Sequence, residues 1–293
     1  MNAYSSYHPI VLILYFLSVT TLTMMTVNPV FLTLALLGGL CYFALLKGAK
    51  EFFLDLAFYI PMMLLIAVVN PLFSHNGETI LFFLNDNRVT LEAIIYGVFI
   101  AVLIVAIIYW FKCYNEAMTS DKFIYLFGKI IPKLSLILSM ALRFVPEYKK
   151  QIKKISKAQK TLGLYSSNSI VDKITGGIQV FSILITWSLE NSITTADSMK
   201  ARGYGLKGRT SFSLFKFTLR DGLMLSIIVC IMSVIVMSIS LDKVYFNYYP
   251  VINSADNSSF AIITYVLLCI LVFIPFLIEV KENIRWKLLI SKI

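Results

Sequence analysis

The stretch Leu91-Glu92-Ala93-Ile94-Ile95-Tyr96-Gly97-Val98-Phe99-Ile100-Ala101-Val102-Leu103-Ile104-Val105-Ala106-Ile107-Ile108-Tyr109-Trp110-Phe111 decides the fold class. It carries a single charge, Glu92, near one end. At ~1.5 Å per residue a helix of this length is about 31 Å long, the thickness of a bilayer's hydrocarbon core. The segment that follows begins at Lys112. Between Lys112 and Arg220 lie 18 of the chain's 26 Lys+Arg, against six acids (Glu116, Asp121, Glu147, Asp172, Glu190 and Asp197), a local net charge of +12. An apolar run that opens onto such a basic block reads as a membrane crossing ending on the side that is not translocated.

The composition of the 293 residues agrees. Hydrophobic residues make up 58%, charged residues only 14%, and the mean hydropathy is +0.80. Soluble domains carry about 25% charged residues, so a soluble domain, a disordered chain and a compact two-domain enzyme of ordinary composition are all excluded. The net charge of +10 would point to nucleic acid in a soluble protein; clustered beside apolar spans it points to the cytoplasmic face, and no nucleic-acid partner is expected. Apolar stretches at Pro9–Thr26, Pro29–Leu46, Phe52–Phe73, Leu219–Leu241 and Phe260–Val280 join Leu91–Phe111 to make six expected spans. With the N-terminus inside, 24 of the 26 basic residues fall on the inside and only Arg88 and Lys243 outside. The expectation is an all-α multi-pass membrane protein with both termini cytoplasmic. A four-span bundle (1–111) and a C-terminal two-span segment (219–293) would flank a cytoplasmic or interfacial helical insertion (112–218). Met1 to His8 lacks the basic n-region of a signal peptide, so the first apolar run reads as a retained span.

Inside the insertion, Leu134–Val145 and Ile178–Leu189 are apolar runs of 12, too short to span. From Tyr148 the residues Tyr148, Ile152, Ile155, Gln159 and Leu162 recur at helical spacing, with Lys149, Lys150, Lys153, Lys154, Lys157 and Lys160 on the other faces; Pro146 is expected to set the start of this helix. A second helix is expected from Ile178 to about Lys200, stopped by Gly203. Outside the membrane, Thr79–Leu84 is β-prone and flanked by His75-Asn76-Gly77 and Asn85-Asp86-Asn87, the pattern of a small hairpin.

Chemistry-bearing motifs are scarce. Gly203 to Thr210 approaches the phosphate-loop pattern, but Arg209 stands where lysine belongs and no buried strand precedes it, so nucleotide binding by this chain is rejected. Two histidines (His8, His75) and four scattered cysteines make a metal centre or disulfide framework improbable on spacing. Asp55, Glu92, Asp221 and Glu279 all lie near span ends, where interfacial anchoring accounts for them. No mid-span acid suits a proton-driven carrier, which weighs against a standalone secondary carrier or channel. No nucleophile constellation supports a lipid-modifying enzyme.

Four stretches, in order, resemble the T component, the membrane scaffold, of energy-coupling factor (ECF) transporters, a branch of the ABC superfamily. They are Asn70 to Thr79, Leu142-Arg143-Phe144-Val145-Pro146-Glu147, Ala158-Gln159-Lys160-Thr161-Leu162-Gly163 and Ala196 to Gly205. The similarity runs from about residue 9 to 220. It implies a non-catalytic subunit that joins a substrate-binding membrane S component to two cytosolic ABC-type ATPases, for uptake of a vitamin or a cobalt or nickel ion. ATP and Mg would reside on the ATPases, with no cofactor on this chain. It also implies that each of two long coupling helices ends in a short arginine-centred motif docking in an ATPase groove. Ala201-Arg202-Gly203 fits the second motif. At the first, Leu162 stands in place of arginine between Thr161 and Gly163, with Lys160 nearby. Unequal docking, and hence a heterodimeric ATPase pair, is the expectation. Gly38, Gly39, Gly97 and Ala101 are candidates for close packing, either against the S component or within the bundle.

Overall fold

The computed structural model describes residues 3–74, 77–84, 87–163, 170–206, 215–250 and 258–290. Its elements are a 3-10 turn (Tyr4–Ser6) and the helices α1 (Pro9–Met25), α2 (Pro29–Lys47) and α3 (Ala49–Phe73). A hairpin of β1 (Ile80–Leu84) and β2 (Asn87–Thr90) follows. The remaining helices are α4 (Leu91–Ala117), α5 (Ser120–Ile130), α6 (Pro132–Thr161), α7 (Ile170–Ala201), α8 (Leu219–Ser240) and α9 (Ser259–Ile290). They divide into two compact units: Met1–Phe123 with Phe215–Ile293, and Ile124–Leu214.

In the first unit α2 lies against α4 and α9, α1 against α4 and α8, and α3 against α4. Asn28-Pro29 makes the α1–α2 turn as the sequence predicts. Pro29 takes the first helical position, where its missing N–H costs nothing. The Asn28 side chain accepts from Val30 N at 2.9 Å and donates to Val244 O at 3.0 Å. The core is aromatic: Tyr4, Tyr15, Phe16, Tyr42, Tyr109 and Trp110 are buried and meet mostly edge to face. The indole N–H of Trp110 donates to Ala35 O at 2.9 Å and the Tyr15 hydroxyl to Leu271 O at 3.0 Å, so aromatic bulk also ties helices through polar tips.

Lipid offers no hydrophobic drive between helices, so close approach of backbones must hold them. The small residues expected to serve this end do so inside the chain. A Cβ on Gly38 would lie 1.9 Å from Val272 Cγ1 on α9, and one on Gly97 would lie 2.8 Å from Ala67 O on α3. Gly39 abuts Tyr109 and Trp110, and Ala101 is buried. The alternative role, holding a separate S component, is excluded for these four positions because neighbouring helices of the same chain already occupy their faces.

The hairpin forms at the expected place, antiparallel, with Phe83 opposite Arg88 and a bulge between Ile80 and Phe82. The turns His75-Asn76 and Asn85-Asp86 lie outside the described residues. Three of the four end-of-span acids depart from the anchoring expectation: Glu92, Asp221 and Glu279 are buried, their oxygens filled by hydrogen bonds. Glu92 accepts from the Thr79 hydroxyl at 2.6 Å and from Thr79 N at 3.3 Å, fastening the hairpin to α4. Gly77 (φ 127°) passes so close that a Cβ would sit 2.6 Å from the Glu92 carboxylate. Asp55 is half-buried and pairs with Lys112, whose ammonium lies 4.6 Å from the Tyr59 ring centroid and 5.2 Å from that of Phe43.

Among the described residues six helices are long and apolar enough to cross a membrane: α2, α3, α4, α7, α8 and α9. The number is the one expected, with one exchange. α1, at 17 residues, is shorter than these six and sits at the lower limit for a span. α7, expected from Ile178 to about Lys200 with an apolar run of 12 too short to span, starts eight residues earlier and is unbroken over 32 residues, and no charged residue occurs between Ile174 and Leu189. In the second unit α6 also differs from expectation. It begins at Pro132 and runs through Pro146, which therefore lies in its interior instead of opening a helix. The fold is an all-α membrane protein.

The Gly38 contact gives a stability prediction. Gly38→Ala lowers the thermal stability of the purified protein by about 1–3 kcal/mol, the usual cost of overpacking. Adding Val272→Ala recovers most of that loss, read by thermal unfolding in one detergent.

Candidate functional site

The residues singled out in the sequence stand at the C-termini of the two longest helices of the second unit. α6 ends at Thr161 and α7 at Ala201, and both ends close in the same way. Arg202 follows the last residue of α7, Gly203 turns into the left-handed region (φ 79°), and two backbone bonds close the end: Gly203 N to Lys200 O at 2.9 Å and Tyr204 N to Met199 O at 3.0 Å. That is the full Schellman arrangement. At α6, Leu162 holds the position of Arg202, Gly163 turns left-handed (φ 91°), and Gly163 N donates to Lys160 O at 3.2 Å. The residues after Gly163 that would complete the second bond lie outside the described residues, as do Lys207 to Thr210.

Superposing the two ends by cap position pairs Lys160 with Lys200, Thr161 with Ala201, Leu162 with Arg202 and Gly163 with Gly203. Lys200 is the residue the sequence reading missed. The signal was present: both helices carry lysine three positions before the capping glycine. A cation in the last turn is favoured by the helix dipole at either end, and α7 adds a second one in Arg202. Both cap residues project outward: Leu162 is 78% exposed and Arg202 is exposed. The Arg202 guanidinium makes no hydrogen bond among the described residues. One helix tip thus exposes a large apolar side chain and the other a guanidinium. Among the described residues no group of three His, Cys, Asp or Glu could hold a metal ion.

α6 and α7 are joined near their middles. The Tyr148 hydroxyl and Ser188 Oγ share a hydrogen bond of 2.7 Å, and Trp187 meets the Tyr148 ring edge-on at 5.7 Å. A shallow apolar groove between them is lined by Ile137, Met140, Phe144, Thr195 and Met199. Residues early in α6 thus meet residues late in α7, so the helices run in opposite senses past one another. Leu162 is fourteen positions beyond Tyr148, and Arg202 is fourteen beyond Ser188. At ~1.5 Å per residue each tip stands about 21 Å along its helix from the shared bond, and the two tips point away from each other.

The model of the cobalt transport protein family, CbiQ, matches residues 5–213. The chain belongs to this family. A 93-residue segment is 37% identical to the energy-coupling factor transporter transmembrane protein EcfT of Listeria innocua, covering 31% of this chain and 35% of that one. Over 113 residues it is 34% identical to EcfT of Brevibacillus brevis, covering 37% and 43%. A longer alignment with EcfT of Lactococcus lactis, 27% identical over 191 residues, covers 61% of this chain and 70% of the relative. The first two alignments thus span less than half of those relatives' length. These relatives are in line with the motif resemblance to T components of ECF transporters, and the apolar helices make this CbiQ-family chain a multi-pass membrane protein.

The cap geometry of this CbiQ-family chain predicts a difference between its glycines. Gly203→Ala places a side chain at positive φ and also brings its Cβ to 3.0 Å from Leu206 Cδ1. Gly163→Ala meets open space and carries only the backbone strain. Both substitutions fray the last turn, by about 1 kcal/mol for the backbone term, and hydrogen exchange rises more over residues 198–204 in the first than over residues 158–163 in the second.

Proposed function

We propose that this chain couples ATP hydrolysis by two cytosolic ABC-type ATPases to movement of a membrane S component that carries the substrate, a vitamin or a metal ion. The observation that supports it best is the matched pair of exposed helix ends on equal arms either side of the Tyr148–Ser188 contact. Two similar grooves, one on each ATPase, suit two similarly capped tips. Closure of the ATPases on ATP changes the separation of the grooves, and two long helices, interrupted in their bonding only at Pro146 near the crossing, carry that displacement inward. The distribution of Lys and Arg supports placing 112–218, and with it both tips and both termini, on the cytoplasmic side, between a four-span segment (1–111) and a two-span one (219–293).

At the α7 tip, Ala201, Arg202 and Gly203 form the docking element. The guanidinium presents several fixed donors to carboxylate or helix-end carbonyl oxygens and stays charged when partly buried. At the α6 tip, Lys160, Leu162 and Gly163 take the same place, with apolar packing by Leu162 substituting for a charge-assisted contact. Tips so unlike in chemistry suit two different ATPase subunits. Hydrolysis, ATP and Mg belong to those partners, and substrate choice belongs to the S component.

Co-expression with the candidate ATPases tests the reading. Removing one partner of a buried charged contact costs about 2–5 kcal/mol, so Arg202→Ala reduces ATPase co-purification and uptake by about tenfold or more while the amount of chain in the membrane stays constant. Leu162→Ala reduces them less. Normal ATPase recovery and uptake with Arg202→Ala would sink the assignment.

A further inference from the structure

The chain enters the second unit within α5 and leaves it just before α8. These two junctions are about ninety residues apart in sequence, yet both are tied to the six residues that precede α1. At the entry, Lys122 in the first turn of α5 is only 6% exposed and forms no ion pair among the described residues. Its three ammonium hydrogens go to Ser5 O (2.5 Å), Ser5 Oγ (2.7 Å) and Ala117 O (2.9 Å). At the exit, Thr218 and Asp221 form a capping box, with Thr218 N and Oγ1 donating to Asp221 Oδ2 at 2.9 and 2.6 Å. The other Asp221 oxygen accepts from His8 N at 2.8 Å, and Phe217 meets the His8 ring edge-on at 5.4 Å.

Between those two attachments the segment is fixed to the bundle. Ala3 N and Tyr4 N donate to the two carboxylate oxygens of Glu279 on α9, each at 3.1 Å. The Tyr4 ring is wholly buried among Tyr7, Tyr15, Phe16 and Tyr42. One short segment is therefore held by α9 and holds both junctions.

We propose that Ala3–His8 is a positioning clamp that locks the two junctions of the helix-tip unit to the membrane bundle, so that displacement at the tips is delivered to the spans instead of being absorbed at the joints. Its part in transport rests on the coupling function proposed above; its structural content does not. Burying an ammonium with only neutral acceptors lowers the lysine's proton affinity, an arrangement costly enough to imply a specific use. Lys122, Ser5 and Asp221 act here through the segment and touch no substrate.

The test uses the full chain with Lys122→Met and the conservative Lys122→Arg. In lipid nanodiscs, hydrogen exchange of Lys122→Met is expected to rise about tenfold around residues 117–124 and also around 215–222, although the substitution touches only the first of these. Lys122→Arg restores much of the protection at both. A rise confined to 117–124 overturns the shared clamp. In the complex with its ATPases, Lys122→Met is expected to leave assembly and nucleotide hydrolysis within about twofold of normal while substrate moved per ATP falls about fivefold or more. Exchange that rises at both junctions with an unchanged ratio overturns the positioning role. If Lys122→Met lowers the amount of folded chain, Ser5→Ala, which removes one of the three acceptors, is read in the same two assays. Arg202→Ala, run alongside, separates the two ideas: its normal ATPase recovery would sink the coupling function and leave the clamp to be judged by exchange alone.

Discussion

A carboxylate inside an apolar bundle is stable only if its oxygens are occupied by donors, and in this protein the donors are largely backbone N–H groups of segments that are not spans. Glu279 takes Ala3 N and Tyr4 N, Asp221 takes His8 N and Thr218 N, and Glu92 takes Thr79 N. Each buried acid thus fixes a piece of chain that would otherwise be loose: the leading segment, the approach to α8 and the hairpin. The apolar helices contribute bulk and close approach at Gly38 and Gly97. The acids decide how the connecting pieces attach. Because an unfilled buried carboxylate is expensive, these attachments form together with the bundle.

Much of this was legible from residues alone. Asn28-Pro29 was read as a turn and is one, because the signal, a capping side chain followed by a proline lacking its N–H, is local. The hairpin and the glycine stops at Gly163 and Gly203 were readable for the same reason. The acids depart from the anchoring expectation because, Thr218 beside Asp221 apart, their partners lie 13 to 276 positions away, and proximity to a span end looks the same whether a side chain reaches outward or turns in. Proline favours first turns, so Pro146 reads as a helix start; a long helix with tertiary support tolerates one in its interior. α7 was underestimated because Asp172 and Lys173 interrupt the apolar run near its front, while Thr and Ser residues within it are neutral enough to continue the helix.

The candidate site was legible in composition and hidden in arrangement. The motif resemblance located both tips and set Leu162 where its counterpart carries arginine. It gave no hint that Lys200 mirrors Lys160, or that both ends close on a left-handed glycine, since those features appear only when the helix ends are aligned by their closing bonds. The substitution of leucine for arginine then becomes interpretable: the backbone geometry of the α6 end is preserved while its chemistry changes from ionic to apolar.

The crossing of α6 and α7 carries a mechanical consequence. Tyr148 and Ser188 supply the one side-chain hydrogen bond between these helices among the described residues, and the groove beside it is walled by methionine, isoleucine and phenylalanine. Methionine repacks at little cost, and Pro146, two residues from Tyr148, removes a backbone bond of α6 at the same place, so rotation about this point meets low resistance. Compliance is thus concentrated in a single swivel, as in a pair of scissors, and the blades keep their shape as the angle between them changes.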